Sequence, residues 1–202
     1  MRVALFGGTF DPIHRGHLAI AKAAAEAFRL DTVLFAPVGR QPLKLEDTPT
    51  PFADRLAMVA LAAASDPRFA VSNLDAPHPD ATPNYTVDTL ATLQSQQPQS
   101  TLFALVGADS FLNLRHWHQP DRLLALANWI VVSRPGFSLH DLSPLQLTPD
   151  QSARVHLLNS VHEDVSATDL RQRLHHGDPC TDLIPPSILA YIHTHRLYES
   201  AP

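Results

Sequence analysis

A chain of 202 residues with a formal charge of −5 can bury a sizeable core, and it carries no positive field for holding a nucleic-acid backbone. Its single cysteine, Cys180, excludes an internal disulfide and suits a reducing cytoplasm. The longest apolar run, LLALANWIVV, falls short of the roughly 20 residues of a membrane helix, and the N-terminus lacks a signal-peptide core, so a soluble cytoplasmic protein is expected.

From the N-terminus, RVALF reads as a short apolar strand and 16–28 as a helix. TVLFAPV is the second strand, followed by a long proline-rich loop over 37–51 and a helix over 51–65. FAVSNL is the third, with a second such loop at 75–83 before a helix over 86–94. TLFALVG, WIVVS and VHLLN complete the strands, and helical runs cover 123–127, 168–175 and 186–193. The loop 136–149 reads as a surface connector. Apolar strands alternating with amphipathic helices predict an α/β fold: a doubly wound, mostly parallel open sheet of five or six strands with helices on both faces. A closed barrel of eight units needs about 250 residues. No repeat or composition break marks a second domain, so 1–202 reads as one. The first two loops leave the carboxyl edge of the sheet, where such folds bind ligands.

The first strand leaves through GGTFDPIHRGH. Backbone N–H groups at a strand-to-helix turn favour an anion, because unpaired donors and the helix dipole point the same way. Gly7 and Gly8 let backbone approach a ligand, and Thr9 adds a hydroxyl. His14 and His17 are three positions apart, which places both imidazoles on one side of a first helical turn. The run lacks the ending of a P-loop and is not G-x-G-x-x-G. A zinc pair would lack a nearby Glu or Cys partner; two imidazoles clamping a phosphate is the other reading.

GTFDPIHRGH resembles the T/H-x-G-H signature of the nucleotidyltransferase α/β-phosphodiesterase superfamily. The resemblance implies a Rossmann-like nucleotidyltransferase in which His14 and His17 hold triphosphate oxygens, with Gly7, Gly8, Thr9 and Phe10 around ATP. A second anion site is legible in VSATDLRQRL, where Ser166 or Thr168 can cap a helix and Arg171 can fork onto phosphate oxygens. That stretch resembles the superfamily's I-S-[SA]-T-x-[IL]-R motif. Arg171 falls on its phosphate-binding arginine, and a C-terminal portion of about 166–198 would close the nucleotide site. In LVGADSF, Asp109 beside Gly107 can accept from ribose hydroxyls, and VVSRPG places Arg134 at the same edge; both match family positions lining the nucleotide.

GGTFDPIHRGH, RLAMVALA, NYTVDTL, VGADSFLNLRHWHQ, VVSRPG, VSATDLRQRL and IPPSILAYIHTHRLY follow one another with the order and spacing of one branch. The chain thus resembles the bacterial nicotinate-nucleotide adenylyltransferases nearly from end to end. The resemblance implies attack by nicotinate mononucleotide phosphate on the α-phosphorus of ATP, with Mg²⁺ carried by the triphosphate and no protein metal ligand. Trp117 offers a flat face for the pyridine ring, Thr86 can donate to its carboxylate, and Asn84 and Tyr85 complete the acceptor segment. Two positions depart from the branch. Leu43 stands where it has a histidine, beside the expected phosphate-binding Lys44, and Asn84 stands where it has a serine. Nicotinamide mononucleotide, phosphopantetheine, or nucleotide binding without catalysis remain as alternatives.

Overall fold

The computed structural model describes residues 1–42, 49–133, 142–158 and 165–199. Six strands, β1 (Arg2–Gly8), β2 (Thr32–Pro37), β3 (Phe69–Val71), β4 (Thr101–Gly107), β5 (Asn128–Val132) and β6 (Val155–Leu158), form one sheet in the order β3-β2-β1-β4-β5-β6. Every neighbouring pair is parallel. The expected doubly wound sheet is therefore present, with all six expected strands in place. The helices are α1 (Arg15–Ala27), α2 (Phe52–Ala63), α3 (Thr86–Gln96), α4 (Ala108–Leu112), α5 (Pro120–Leu126), α6 (Pro149–Ser152), α7 (Ala167–His175) and α8 (Pro186–Thr194).

Period-two alternation sends β1 into two cores at once. Val3 and Leu5 join a cluster with Val87, Leu90, Phe111, Leu124 and Trp129, under α3 and α5. Ala4 and Phe6 join the opposite cluster with Phe35, Met58, Leu170 and Ile188, under α1, α2, α7 and α8. Helix α1 buries Ala21, Ala24 and Ala25, and these small side chains leave room for large rings on the sheet beneath. Phe35 is fully buried and touches three rings: Phe6 at 5.4 Å, Phe10 at 5.8 Å and Phe69 at 5.3 Å between centroids.

Three elements differ from the sequence expectation. Helices α4 and α6 fall where no helix was expected, since five and four residues are too few to display a helical period. Helix α5 begins at Pro120 rather than 123, because proline at a first helical position costs no hydrogen bond and its φ is already set.

Phe35→Ala should lower unfolding stability by about 3–5 kcal/mol, the cost of a buried aromatic lost with incomplete collapse. Urea titration checks this. A loss below about 1 kcal/mol would show that the four rings do not act as a common core.

Candidate active site

In this strand order the chain steps outward from β1 to β2, then returns to β4 on the other side of β1. The crevice between the carboxyl ends of β1 and β4 is where an open sheet offers unpaired backbone to a ligand. Two cavities lie along this edge. One, of about 550 Å³, is lined by Gly7, Gly8, Thr9, Thr86, Gly107 and Trp117 among others. The other, of about 1060 Å³, is lined by Phe10, His17, Thr168, Arg171 and Tyr198 among others. They share Thr9, Val38 and Gln41.

The turn after β1 is held from below. Phe10 adopts a left-handed φ of +50° and drops its ring, 2% exposed, into the aromatic core. A Cβ on Gly8 would sit 3.1 Å from that ring. A side chain at position 8 would crowd the Phe10 ring, and Gly8 also lines the smaller cavity. His17 packs edge-on against Phe10, with centroids 5.0 Å apart, and stacks on His14 at 3.7 Å. The backbone N–H of His14 donates to His17 Nδ1 at 3.3 Å, so a neutral His17 carries its proton on Nε2. His17 lines the larger cavity and His14, 5% exposed, lies behind it.

The expected row of free amides at the start of α1 is only partly available. Arg15 N–H donates to the Leu183 carbonyl at 2.8 Å. Imidazole rather than that amide is what the turn offers an anion.

The C-terminal half meets the turn through α7. Ser166 caps α7 by accepting from Asp169 N–H at 3.5 Å. Arg171 donates through Nη2 to the Thr168 hydroxyl at 3.3 Å and through Nη1 to the Asp11 carbonyl at 2.8 Å. A guanidinium is thereby held at the turn after β1 across 160 residues of sequence. Asp109 stands exposed in the first turn of α4, next to Gly107. Among the described residues, His14, Ser166 and Asp109 line neither cavity. Lys44, Leu43 and Arg134 lie outside the described residues.

The smaller cavity is aromatic. Trp117 follows a 3-10 turn (Leu114–His116) and meets Trp129 edge-on at 6.2 Å; both indole N–H groups are buried without a partner. Tyr85 lies against His118 at 4.3 Å. Thr86 opens α3 at the cavity wall. Asn84, 5% exposed, spends its amide on the surrounding loops: Nδ2 donates to the Ala76 carbonyl and Oδ1 accepts from Arg40 N–H.

Several shaping residues escaped the sequence reading. Gly39 donates its N–H to the Asp75 carbonyl at 2.7 Å, and a Cβ there would lie 2.5 Å from Pro77 N. Any side chain at position 39 would part the two loops. Arg55, 1% exposed, donates to the carbonyls of Thr50 at 2.8 Å and Thr9 at 2.7 Å. It lies on the same buried stripe of α2 as Met58, Val59 and Ala62, and an arginine on an apolar stripe was the available signal. Asp75, 7% exposed, lines the aromatic cavity and accepts from the Thr89 hydroxyl. Desolvation raises its pKa to about 6, against the opposing pull of that hydrogen bond. Among the described residues no three His, Cys, Asp or Glu side chains gather as a metal site.

Residues 5–173 match the cytidylyltransferase-like family model. A probable nicotinate-nucleotide adenylyltransferase of Roseiflexus sp. (strain RS-1) is 42% identical over 197 residues, covering 98% of each chain. One of Neisseria meningitidis serogroup B is 42% identical over 203 residues, again covering 98% of each. Among solved structures, Plasmodium falciparum nicotinic acid mononucleotide adenylyltransferase complexed with NaAD superposes with a TM-score of 0.79. It is 20% identical, over 98% of this chain and 97% of that one, a likeness of fold.

Asp75 gives a pH signature. Its folded pKa lies above the unfolded value, so between about pH 4 and 6 the native state binds more protons and stability falls as pH rises. Asp75→Asn should flatten that fall by on the order of 2 kcal/mol, read from urea unfolding at several pH values. Parallel curves for both proteins would exclude Asp75 as the titrating group.

Proposed function

We propose for this chain, which belongs to the cytidylyltransferase-like family and within it to the nicotinate-nucleotide adenylyltransferases, the transfer of an adenylyl group from ATP to nicotinate mononucleotide. The products are nicotinate adenine dinucleotide and pyrophosphate, a step of NAD biosynthesis. The observation that carries the reading onto these residues is the Arg171 guanidinium held at the turn that bears His17, beside an aromatic cavity that shares Thr9 with it.

The nucleophile is an oxygen of the mononucleotide phosphate, whose second pKa near 6 leaves it mostly dianionic at neutral pH. It attacks the α-phosphorus, the bond to the bridging oxygen of the β-phosphate breaks, and pyrophosphate leaves. No general base is required, so the protein's part is positioning and charge neutralisation. His14, His17 and Arg171 neutralise charge developing on the ATP phosphates, with Lys44 as a further cation from the loop after β2. Gly7, Gly8, Thr9, Phe10 and Gly107 shape the ATP site. Ser166 and Thr168 hold the helix that delivers Arg171, Asp109 takes the ribose hydroxyls, and Arg134 is a further cation for the nucleotide. The chain works as one domain, its portion of about 166–198 closing over the nucleotide. The divalent ion, Mg²⁺, travels on the triphosphate; the described side chains supply no cage for it. The setting is the cytoplasm, and among the described residues no helix is long and apolar enough to cross a membrane.

For the acceptor, the pyridine stacks on Trp117. Its carboxylate takes the Thr86 hydroxyl and amides of the first turn of α3, donors a carboxamide NH₂ would oppose. Asn84 and Tyr85 brace that wall. A second reading rests on Asp75. Ionised at neutral pH and lining the same cavity, it would accept from a carboxamide and repel a carboxylate, which favours nicotinamide mononucleotide.

Pyrophosphate release with Mg-ATP and each mononucleotide decides between them: release with the acid alone supports the first, and comparable release with both makes Asp75 part of a dual specificity. Silence with both overturns the acceptor and leaves another phosphate, such as phosphopantetheine, or binding without catalysis. His17→Ala should cut kcat by about 10²-fold or more, the scale of one oxyanion donor; near-normal turnover would remove its role. Trp117→Ala should raise the acceptor KM and leave that for ATP, and the reverse would misplace the pyridine.

A further inference from the structure

A carboxylate sits where phosphates are to bind. Asp11, 4% exposed, follows Phe10 in the turn and lines the larger cavity with His17, Arg40 and Arg171; among the described residues it is the only acidic side chain to do so. A bare carboxylate there would repel an incoming triphosphate through a poorly screened path. Both of its oxygens are occupied. Tyr198 donates its phenol O–H to Oδ1 at 2.5 Å, and Thr50 donates its backbone N–H to Oδ2 at 3.1 Å. The main-chain carbonyl of the same residue receives Arg171.

Tyr198 is held at a cost. Its φ is +64°, a left-handed conformation that bulky side chains avoid and that persists only where surrounding contacts over-determine it. The contacts that do so run to the phosphate turn, 187 residues away in sequence. Burial and the neighbouring Asp11 push the phenol's pKa well up, so it stays a neutral donor. Arg55 sits alongside, holding the carbonyls of Thr9 and Thr50 on either side of the same carboxylate.

We propose that Tyr198 is a positioning residue of the phosphate site, which caps the Asp11 carboxylate against incoming phosphate and so fixes the turn that Arg171 grips. The inference rests on the reading that this cavity takes the phosphates of ATP. It acts through Asp11.

The test is a double-mutant cycle of Tyr198→Phe and Asp11→Asn, with Mg-ATP affinity by calorimetry, KM for ATP and for the acceptor, and melting temperature for each variant. Tyr198→Phe should weaken Mg-ATP binding about tenfold, the scale of one hydrogen bond to a charged group, with the acceptor KM moved less than about twofold. In the Asp11→Asn background, where no carboxylate needs capping, the same change should cost less than about twofold. A melting temperature lowered with Mg-ATP affinity unchanged would make Tyr198 merely structural and overturn the proposal, as would an equal loss in both backgrounds. If the wild type binds Mg-ATP yet turns over neither mononucleotide, the proposed reaction falls, and the cycle in binding still decides for or against Tyr198. A wild type that does not bind Mg-ATP overturns both.

Discussion

The site hangs on Phe10. By reversing its backbone and burying its ring among Phe6 and Phe35, this residue anchors a turn that would otherwise be an exposed loop of glycine and proline. The consequences spread outward from that one packing event. His17 gains an aromatic floor, and the Asp11 carbonyl is presented to Arg171. A side chain at Gly8 would press on the ring, 3.1 Å from its Cβ. A rigid apolar foot supports a polar arm; under the proposed reaction the rotamers of His17 and Arg171 would be set before a ligand arrives. Electrostatic stabilisation needs that preorganisation, because donors that must first reorganise lose most of what they contribute.

Two carboxyl groups are buried along this cationic edge, and the fold handles them by opposite means. Asp11 keeps donors on both oxygens, from Tyr198 and Thr50. Asp75 has the Thr89 hydroxyl, and desolvation moves it toward the neutral form. Burial pushes Asp75 toward giving up its charge. The difference follows from their neighbours: Asp11 lies beside Arg55 and Arg171, whereas Asp75 faces the wall of an aromatic cavity.

The parts of this architecture legible in the sequence share one property, which is that their signal is local. Six apolar runs gave six strands because each spans the sheet by itself, and the His14–His17 spacing is fixed within one helical turn. Arg171 was legible because its helix announces its own cap at Ser166. What escaped depends on partners distant along the chain. Nothing near Gly39 foretells that Pro77 will lie 2.5 Å from its absent Cβ, and Tyr198 looks like any aromatic after a helix until Asp11 is beside it. Asn84 lines the aromatic cavity, but its amide is committed to Ala76 and, distant in sequence, to Arg40. Arg55 was the one long-range feature that left a mark, as an arginine on an apolar stripe.

The long sequence span of the Tyr198–Asp11 and Arg171–Asp11 bonds orders events in the chain's own synthesis. Strands β1 to β5 are all present once residue 132 has been made, whereas the core under α1 and α2 still lacks Leu158, Leu170 and Ile188. The phosphate turn at that stage has its aromatic foot but neither the guanidinium that faces it nor the phenol that caps it. Closing those loops takes the contacts of greatest sequence separation, which form late because their entropy must be met before they repay it. The turn after β1 thus receives Arg171 and Tyr198, its partners from the C-terminal half, last in folding.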